Sequence, residues 1–432
     1  MVVLLFSFLF ILLFIGFPVA FSMGLSSIIA MSSADIPIQV AIQRIVSSLN
    51  SFPLMAIPFF ILAGGLMEQS GISQRLINFA NALVGRMTGG LAMVSVLTAM
   101  FFASISGSSA ATVAAVGGIL IPAMVKRGFP INFSTSVQAV SGELGVIIPP
   151  SIPMIIFALT AGVSVSIGDL FMAGVFPGLL IAVSIMALIY FLSKKNGYGQ
   201  NFNDNVEDGL IQQEGKLTAF RKAILPLLMP FLILGGIYGG VFTPTEAAAV
   251  AVGYAFILGA FVYRTLNRSN IIKVLKSSVI STSIIMIIIG NAGLFGWVLT
   301  AEKVPERVAD FFLSISDSPI VFLLLVNLLL LMVGMFLETG AAIVIMAPIL
   351  TPVAVSFGVD PVHFGIIMIV NLAIGMLTPP VGVNLFVACQ VAGIRIEQIL
   401  KPLIPFYIVL IVDIILITYL PQISLWLPAF LK

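Results

Sequence analysis

The sequence predicts an all-α polytopic membrane protein, built as an inverted repeat with two re-entrant helical hairpins and two broken helices. Three observations carry that expectation. The first is composition: 60% of the 432 residues are hydrophobic and 8% are charged, whereas a soluble domain is about 25% charged. A soluble fold has nowhere to bury so much apolar surface, so the lipid bilayer must act as the solvent. The second is an internal repeat at an offset of 230 residues. The third is a pair of long apolar stretches, each split by small polar residues and each followed by a Pro-Pro break.

Composition also excludes several functions. Net charge is +2, and no basic patch interleaves with aromatics, so no nucleic-acid partner is expected. A single cysteine, Cys389, rules out an internal disulfide and a multi-cysteine metal site. A single histidine, His363, argues against a histidine zinc site. No Gly-rich phosphate loop carries a lysine, so nothing points to ATP hydrolysis. The lack of a His/Cys/Asp cluster argues against an intramembrane enzyme.

The elements follow in chain order. Residues Val2–Ile15 are apolar, and the first positive residue is Arg44. A cleavable signal needs a basic segment before its apolar one, so this reads as a retained membrane helix. A span needs roughly 20 apolar residues. Apolar candidates are 2–16, 18–34, 53–68, 130–163, 170–192, 224–241, 246–263, 277–299, 361–393 and 403–428, and the split stretches are 91–125 and 321–355. The polar stretch Lys194–Lys222 has no hydrophobic period. The expected organisation is therefore a first repeat over 1–192, a cytoplasmic linker over 193–223 and a second repeat over 224–432.

The two halves match without a gap. Ala111–Pro150 laid on Ala341–Pro380 gives ten identities in forty positions, where about four would be expected by chance in so apolar a chain. The matches include Pro122 with Pro352, Gly128 with Gly358, Gly145 with Gly375, and Pro149–Pro150 with Pro379–Pro380. Cytoplasmic loops are enriched in Lys and Arg. The first split stretch ends at Arg86, Lys126 and Arg127, the second at Asp317 and Asp360. Their openings are therefore expected on opposite sides. Lys194, Lys195, the run Arg264–Lys276, Arg395 and Lys401 fall inside, both chain ends fall outside, and Arg44 is left on the wrong side. An inverted repeat is the signature of secondary transporters.

Each split stretch reads as a hairpin. In the first, Ser106-Gly107-Ser108-Ser109-Ala110-Ala111-Thr112 separates arms of about 13–15 residues, roughly 20 Å of helix and too short to cross. One long helix with Ser and Ala on a packing face is the alternative. In the second, Leu337-Glu338-Thr339-Gly340 marks the tip, and Ser108 and Ser109 align with Glu338 and Thr339.

A broken helix follows each tip, at Gly142-Glu143-Leu144-Gly145-Val146-Ile147-Ile148-Pro149-Pro150-Ser151 and at Asn371-Leu372-Ala373-Ile374-Gly375-Met376-Leu377-Thr378-Pro379-Pro380-Val381-Gly382-Val383-Asn384. Consecutive prolines donate no backbone hydrogen bond and disfavour helix before them. Unwound backbone survives at membrane depth only when buried in protein or lining a cavity. The freed carbonyls are hard oxygen ligands that suit Na⁺, and tip hydroxyls such as Ser109 and Thr339 can complete the shell. A proline kink satisfied by neighbouring helices is the plainer alternative. Half-helix N-termini at these points suit carboxylates. No Lys or Arg lies in the motifs, so an acidic substrate would rest on N–H groups and polar side chains. Thr112, Ser151 and Asn384, with Glu143 and Glu338, are the candidate contacts. Glu143 and Glu338 could equally accept hydrogen bonds from free N–H groups. His363 is expected to be structural, Asp413 to meet a partner chain or a polar interior, and the glycines of Gly235–Gly240 to allow close helix packing.

The segments Pro58-Phe-Phe-Ile-Leu-Ala-Gly-Gly, Ser106-Gly-Ser-Ser-Ala-Ala-Thr, Gly142-Glu-Leu-Gly-Val-Ile-Ile-Pro-Pro-Ser and Gly375-Met-Leu-Thr-Pro-Pro-Val-Gly resemble one family. It is the large integral membrane subunit of tripartite ATP-independent periplasmic (TRAP) transporters, and the resemblance covers nearly the whole chain. It implies a multi-pass protein of the bacterial inner membrane with an elevator-type ion transporter architecture. It implies Na⁺-driven import of C4-dicarboxylates, sialic acids or other organic acids. The implied partners are a small four-helix membrane subunit, here a separate chain, and a periplasmic substrate-binding protein. The family's ion sites carry over to Ser106, Ser108 and Ser109 with Gly145, Ile148 and Pro150, and to Thr339 and Gly340 with Gly375, Met376 and Thr378. The alternatives are a stand-alone ion-coupled anion transporter of related fold, which needs no binding protein, and a channel.

Overall fold

The computed structural model describes residues 1–199 and 215–431. All regular elements among them are helical. The chain opens with α1 (Val2–Phe14), α2 (Val19–Ser32) and α3 (Ile38–Leu49), with Pro18 and Pro37 immediately before the second and third. Then come α4 (Ala56–Gln69), α5 (Ile72–Val84), α6 (Gly90–Ser106), α7 (Ser109–Lys126), α8 (Ile131–Gly142), α9 (Leu144–Ile147), α10 (Ile152–Thr160) and α11 (Ile167–Asn196). Beyond residue 214 follow α12 (Lys216–Tyr238), α13 (Pro244–Ile257), α14 (Arg268–Ala301), α15 (Val304–Ile315) and α16 (Pro319–Phe336). The last are α17 (Thr339–Ser356), α18 (Pro361–Gly375), α19 (Val383–Ala392), α20 (Glu397–Tyr419) and α21 (Gln422–Leu431). Among the described residues, 9 helices are long and apolar enough to cross a membrane, or up to 10 if the pair Ile131–Ile147 and Ile152–Thr160, bent by 46°, counts as one span.

The repeat extends well past the aligned forty residues. Helices α6, α7, α8, α10 and α11 start within one residue of a 230-residue offset from α16, α17, α18, α19 and α20. Their punctuation repeats too. Ser108 and Glu338 both N-cap the second arm of a hairpin. Gly128 and Gly358 both follow that arm in the left-handed region, at φ 79° and 78°, where glycine carries no Cβ penalty. The Pro149–Pro150 and Pro379–Pro380 bonds are both cis. Packing crosses between the halves. The inner arm α7 lies against α19, and its counterpart α17 lies against α10. Each hairpin therefore docks on the broken helix of the other half.

Four expectations change. The hairpin arms hold 17 or 18 residues, roughly 26 Å of helix, so length does not by itself separate a re-entrant arm from a short span. Three amphipathic helices, α3, α5 and α15, lie outside every apolar window, because a window average dilutes a one-sided stripe. Helix reaches into the polar stretch 194–222 from both sides: α11 runs to Asn196 and α12 begins at Lys216, while residues 200–214 lie outside the described set. The glycines near Tyr238 serve the turn rather than a helix pair: a Cβ on Gly235 or Gly240 would meet nothing within 4 Å, whereas one on Gly236 would stand 2.4 Å from the Phe242 ring.

Candidate functional site

The first tip is shaped by a glycine. Helix α6 ends at Ser106, and Gly107 turns the chain at φ 61°. The Thr112 hydroxyl donates to the Ser108 carbonyl at 2.8 Å and lies 3.1 Å from the Ser106 hydroxyl. Tip and break touch directly. Ile152 N–H donates to the Gly107 carbonyl at 3.4 Å. A Cβ on Gly145 would stand 2.5 Å from the Ser108 carbonyl oxygen and 2.7 Å from the Thr112 hydroxyl. Only glycine permits that approach. Pro149 and Pro150 have no N–H, so the carbonyls of Gly145 and Val146 lose their helical donors. The Ser151 hydroxyl donates to Val146 instead, at 2.6 Å.

The second tip is closed by its acid. Glu338 Oε2 accepts from the N–H groups of Gly340 and Ala341 at 2.9 and 3.2 Å. This is the structural-acceptor role left open by the sequence. The Thr339 hydroxyl lies 3.6 Å from the Met376 sulfur, and Gly382 N–H donates to the Met335 carbonyl at 3.3 Å. The second break is less open than the first. Thr378 N–H donates to the Gly375 carbonyl at 2.8 Å, and the Tyr407 hydroxyl donates to the Leu377 carbonyl. Gly375 faces the arm rather than the tip: a Cβ there would stand 2.7 Å from the Gly334 Cα.

Asn384 joins the halves by donating to Glu143 Oε1 at 2.6 Å. Both residues are fully buried, and Glu143 Oε2 and Asn384 Oδ1 have no partner among the described residues. His363 is buried as expected, with its ring between the Ser424 hydroxyl and the Thr418 carbonyl. Asp413 meets a polar interior, accepting from the Ser184 hydroxyl at 2.9 Å.

A cavity of about 580 Å³ collects much of this. Of the residues singled out from sequence, Ser106, Ser108, Ser109, Glu338, Gly340, Met376 and Asn384 line it. Thr112, Glu143, Gly145, Ile148, Pro150, Ser151, Thr339, Gly375 and Thr378 are not among its lining residues. Sequence reasoning missed the opposite wall. It is built by Lys273, Ser277, Ser278 and Ser281 of α14, with Glu68 and Gln69 from the end of α4. Lys273, Ser277 and Ser281 recur every four residues and share one face of α14, a signal that a search for Pro and Gly breaks passes over. Lys273 gives the cavity one cation for an acidic solute, beside the tip hydroxyls and half-helix N–H groups.

Residues 6–423 match the family described as "Tripartite ATP-independent periplasmic transporter, DctM component". The chain is 45% identical over 412 residues to the C4-dicarboxylate TRAP transporter large permease protein DctM of Pseudomonas aeruginosa, covering 95% of this chain and 94% of that protein. It is 39% identical over 420 residues to the sialic acid TRAP transporter large permease protein SiaM of Vibrio cholerae, covering 96% of each. It is 43% identical over 423 residues to the isethionate TRAP transporter permease protein DctMQ of Oleidesulfovibrio alaskensis, covering 98% of this chain and 65% of that longer protein. Among solved structures, the Alcanivorax borkumensis YdaH transporter superposes with a TM-score of 0.63 at 18% identity, covering 88% of each chain. That likeness concerns the fold alone.

Proposed function

The chain belongs to the DctM-component family of tripartite ATP-independent periplasmic transporters, and from that premise we propose that it is the large membrane subunit of a Na⁺-coupled importer of small organic acids. The observation that carries this reading is one cavity lined by both hairpin tips and by residues of both breaks. Its relatives are named for C4-dicarboxylate, sialic acid and isethionate, and all three solutes carry an acid group. Lys273, the serines of α14 and the tip N–H groups form a wall that suits such a solute.

Ser106, Ser108 and Ser109 with Gly145, Ile148 and Pro150 hold one Na⁺, and Thr339 and Gly340 with Gly375, Met376 and Thr378 hold a second. The first set is supported by the contact of the Ser108 carbonyl with Gly145, and the second by that of Thr339 with Met376. Holding an ion fastens each tip to its break and offsets the cost of freed carbonyls. The hairpins and broken helices then move together against the remaining helices, as an elevator. Lys273 lines the cavity and follows the Lys/Arg-rich run from Arg264, so the cavity opens toward the cytoplasm. The partners are a small membrane subunit and a periplasmic binding protein, in the bacterial inner membrane.

Na⁺ binding is tested on purified protein by thermal unfolding at constant ionic strength. Replacing K⁺ by Na⁺ should stabilise it, by about 2.7 kcal/mol per site at a hundredfold excess over Kd. Equal stability in both salts would overturn the ion sites. Co-purification with a small membrane partner separates this reading from a stand-alone transporter.

A further inference from the structure

The two halves hold their breaks in different ways, and the difference falls on one side chain. Under the 230-residue offset, Leu377 of the second break corresponds to Ile147 of the first, and α20 corresponds to α11. In the first half, α11 brings its backbone against the break. A Cβ on Gly174 would stand 2.6 Å from the Ile147 carbonyl oxygen, and one on Gly178 would strike the Ile148 side chain. In the second half, Ile404 and Ile408 take the places of those glycines, and they are 55% and 61% exposed. Tyr407 stands where the first half has Pro177, and it reaches the break through its side chain. Its hydroxyl donates to the Leu377 carbonyl. The Thr378 side chain lies at the same hydroxyl, and Glu143 is close enough for its charge to act there. Helix α18 ends at Gly375, so the Leu377 carbonyl belongs to unwound backbone, which survives at membrane depth only when buried in protein or lining a cavity.

Resting on the second ion site read above, we propose that Tyr407 is the positioning residue of that site. Its hydroxyl does two things. By donating to Leu377, it fixes the rotation of the peptide that joins Leu377 to Thr378, and so the aim of the groups on either side of it, Met376 and Thr378. By accepting from the Thr378 hydroxyl, it takes the threonine proton. A hydroxyl that ligates a cation must turn its lone pairs to the ion and its proton elsewhere, and Tyr407 is where that proton goes. Tyr407 acts through Thr378 and does not itself touch the ion.

The test is a Na⁺ titration of thermal unfolding on the purified full chain, with K⁺ holding the ionic strength constant. Tyr407→Phe keeps the ring and its packing and removes the hydroxyl alone. It should raise the Na⁺ concentration for half-maximal stabilisation about tenfold, the factor that one hydrogen bond carries. Thr378→Val should raise it to a similar extent. The double variant Tyr407→Phe/Thr378→Val should raise it no further, because both changes disable one device. A purely structural role would lower stability equally in Na⁺ and K⁺ and leave the half-saturating concentration at the wild-type value. That result overturns the proposal while the ion site stands, and so does a double variant in which the two effects multiply. Wild-type protein that gains no stability from Na⁺ overturns the ion site and the proposal with it.

Discussion

At the scale of single residues, the strongest constraint is the approach of Gly145 to the first tip. An added Cβ would meet a backbone carbonyl at 2.5 Å and the Thr112 hydroxyl at 2.7 Å, and a carbonyl has little room to give. Gly145→Ala should push the tip off the break and abolish stabilisation by Na⁺, as read by thermal unfolding in Na⁺ against K⁺. Gly118→Ala is the control. Its Cβ meets nothing within 4 Å, so the variant should gain roughly 0.5–1 kcal/mol from helix propensity. The hydroxyls are tested separately. Ser109→Ala and Thr339→Ala should each raise the Na⁺ concentration for half-maximal transport, and normal Na⁺ dependence in both would move the ion sites elsewhere. Ser109, Thr339 and Gly145 were legible because Pro-Pro breaks and hydroxyl-rich tips are rare in an apolar chain. Ser151 was legible as a polar group but not by its contact. Its bond to Val146 is local repair of a carbonyl that Pro150 cannot serve.

At the scale of elements, the hairpins and breaks were readable because Pro, Gly, Ser and Glu interrupt long apolar runs at a constant offset. Their neighbours were not. That α7 docks on α19, and α17 on α10, depends on chain folding over more than two hundred residues. Lys273 and the α14 serines stayed hidden for the same reason. The amphipathic helices α3, α5 and α15 were missed because their apolar residues form stripes rather than runs. The bond from Asn384 to Glu143 ties α19 to the break before α9, and it is one of the contacts that join the two halves. Asn384→Leu leaves the Glu143 side chain without its hydrogen-bond partner among the described residues and should cost about 2–3 kcal/mol in thermal unfolding. Adding Glu143→Gln should recover part of that loss, because a neutral amide costs less to bury than an unpaired carboxylate. No recovery in the double variant would show that the pair is not coupled.

At the scale of the whole molecule, an internal repeat, a shared cavity and a charge asymmetry belong to one transport unit. The asymmetry predicts orientation. Lys195→Cys should react with a membrane-impermeant maleimide only after the inner membrane is opened, and Ala429→Cys should react in intact cells. The native Cys389 is buried and should stay silent. Reversed labelling would invert the topology and place the cavity mouth on the periplasmic side. The central claim is that ion binding at paired tips and breaks drives solute import. It is tested most directly by uptake of C4-dicarboxylate, sialic acid and isethionate into proteoliposomes holding this chain, its small membrane subunit and the matching periplasmic binding protein. The account predicts accumulation of one of these acids above the external concentration only when Na⁺ is directed inward. Equal accumulation in K⁺ medium with a proton gradient alone would contradict it.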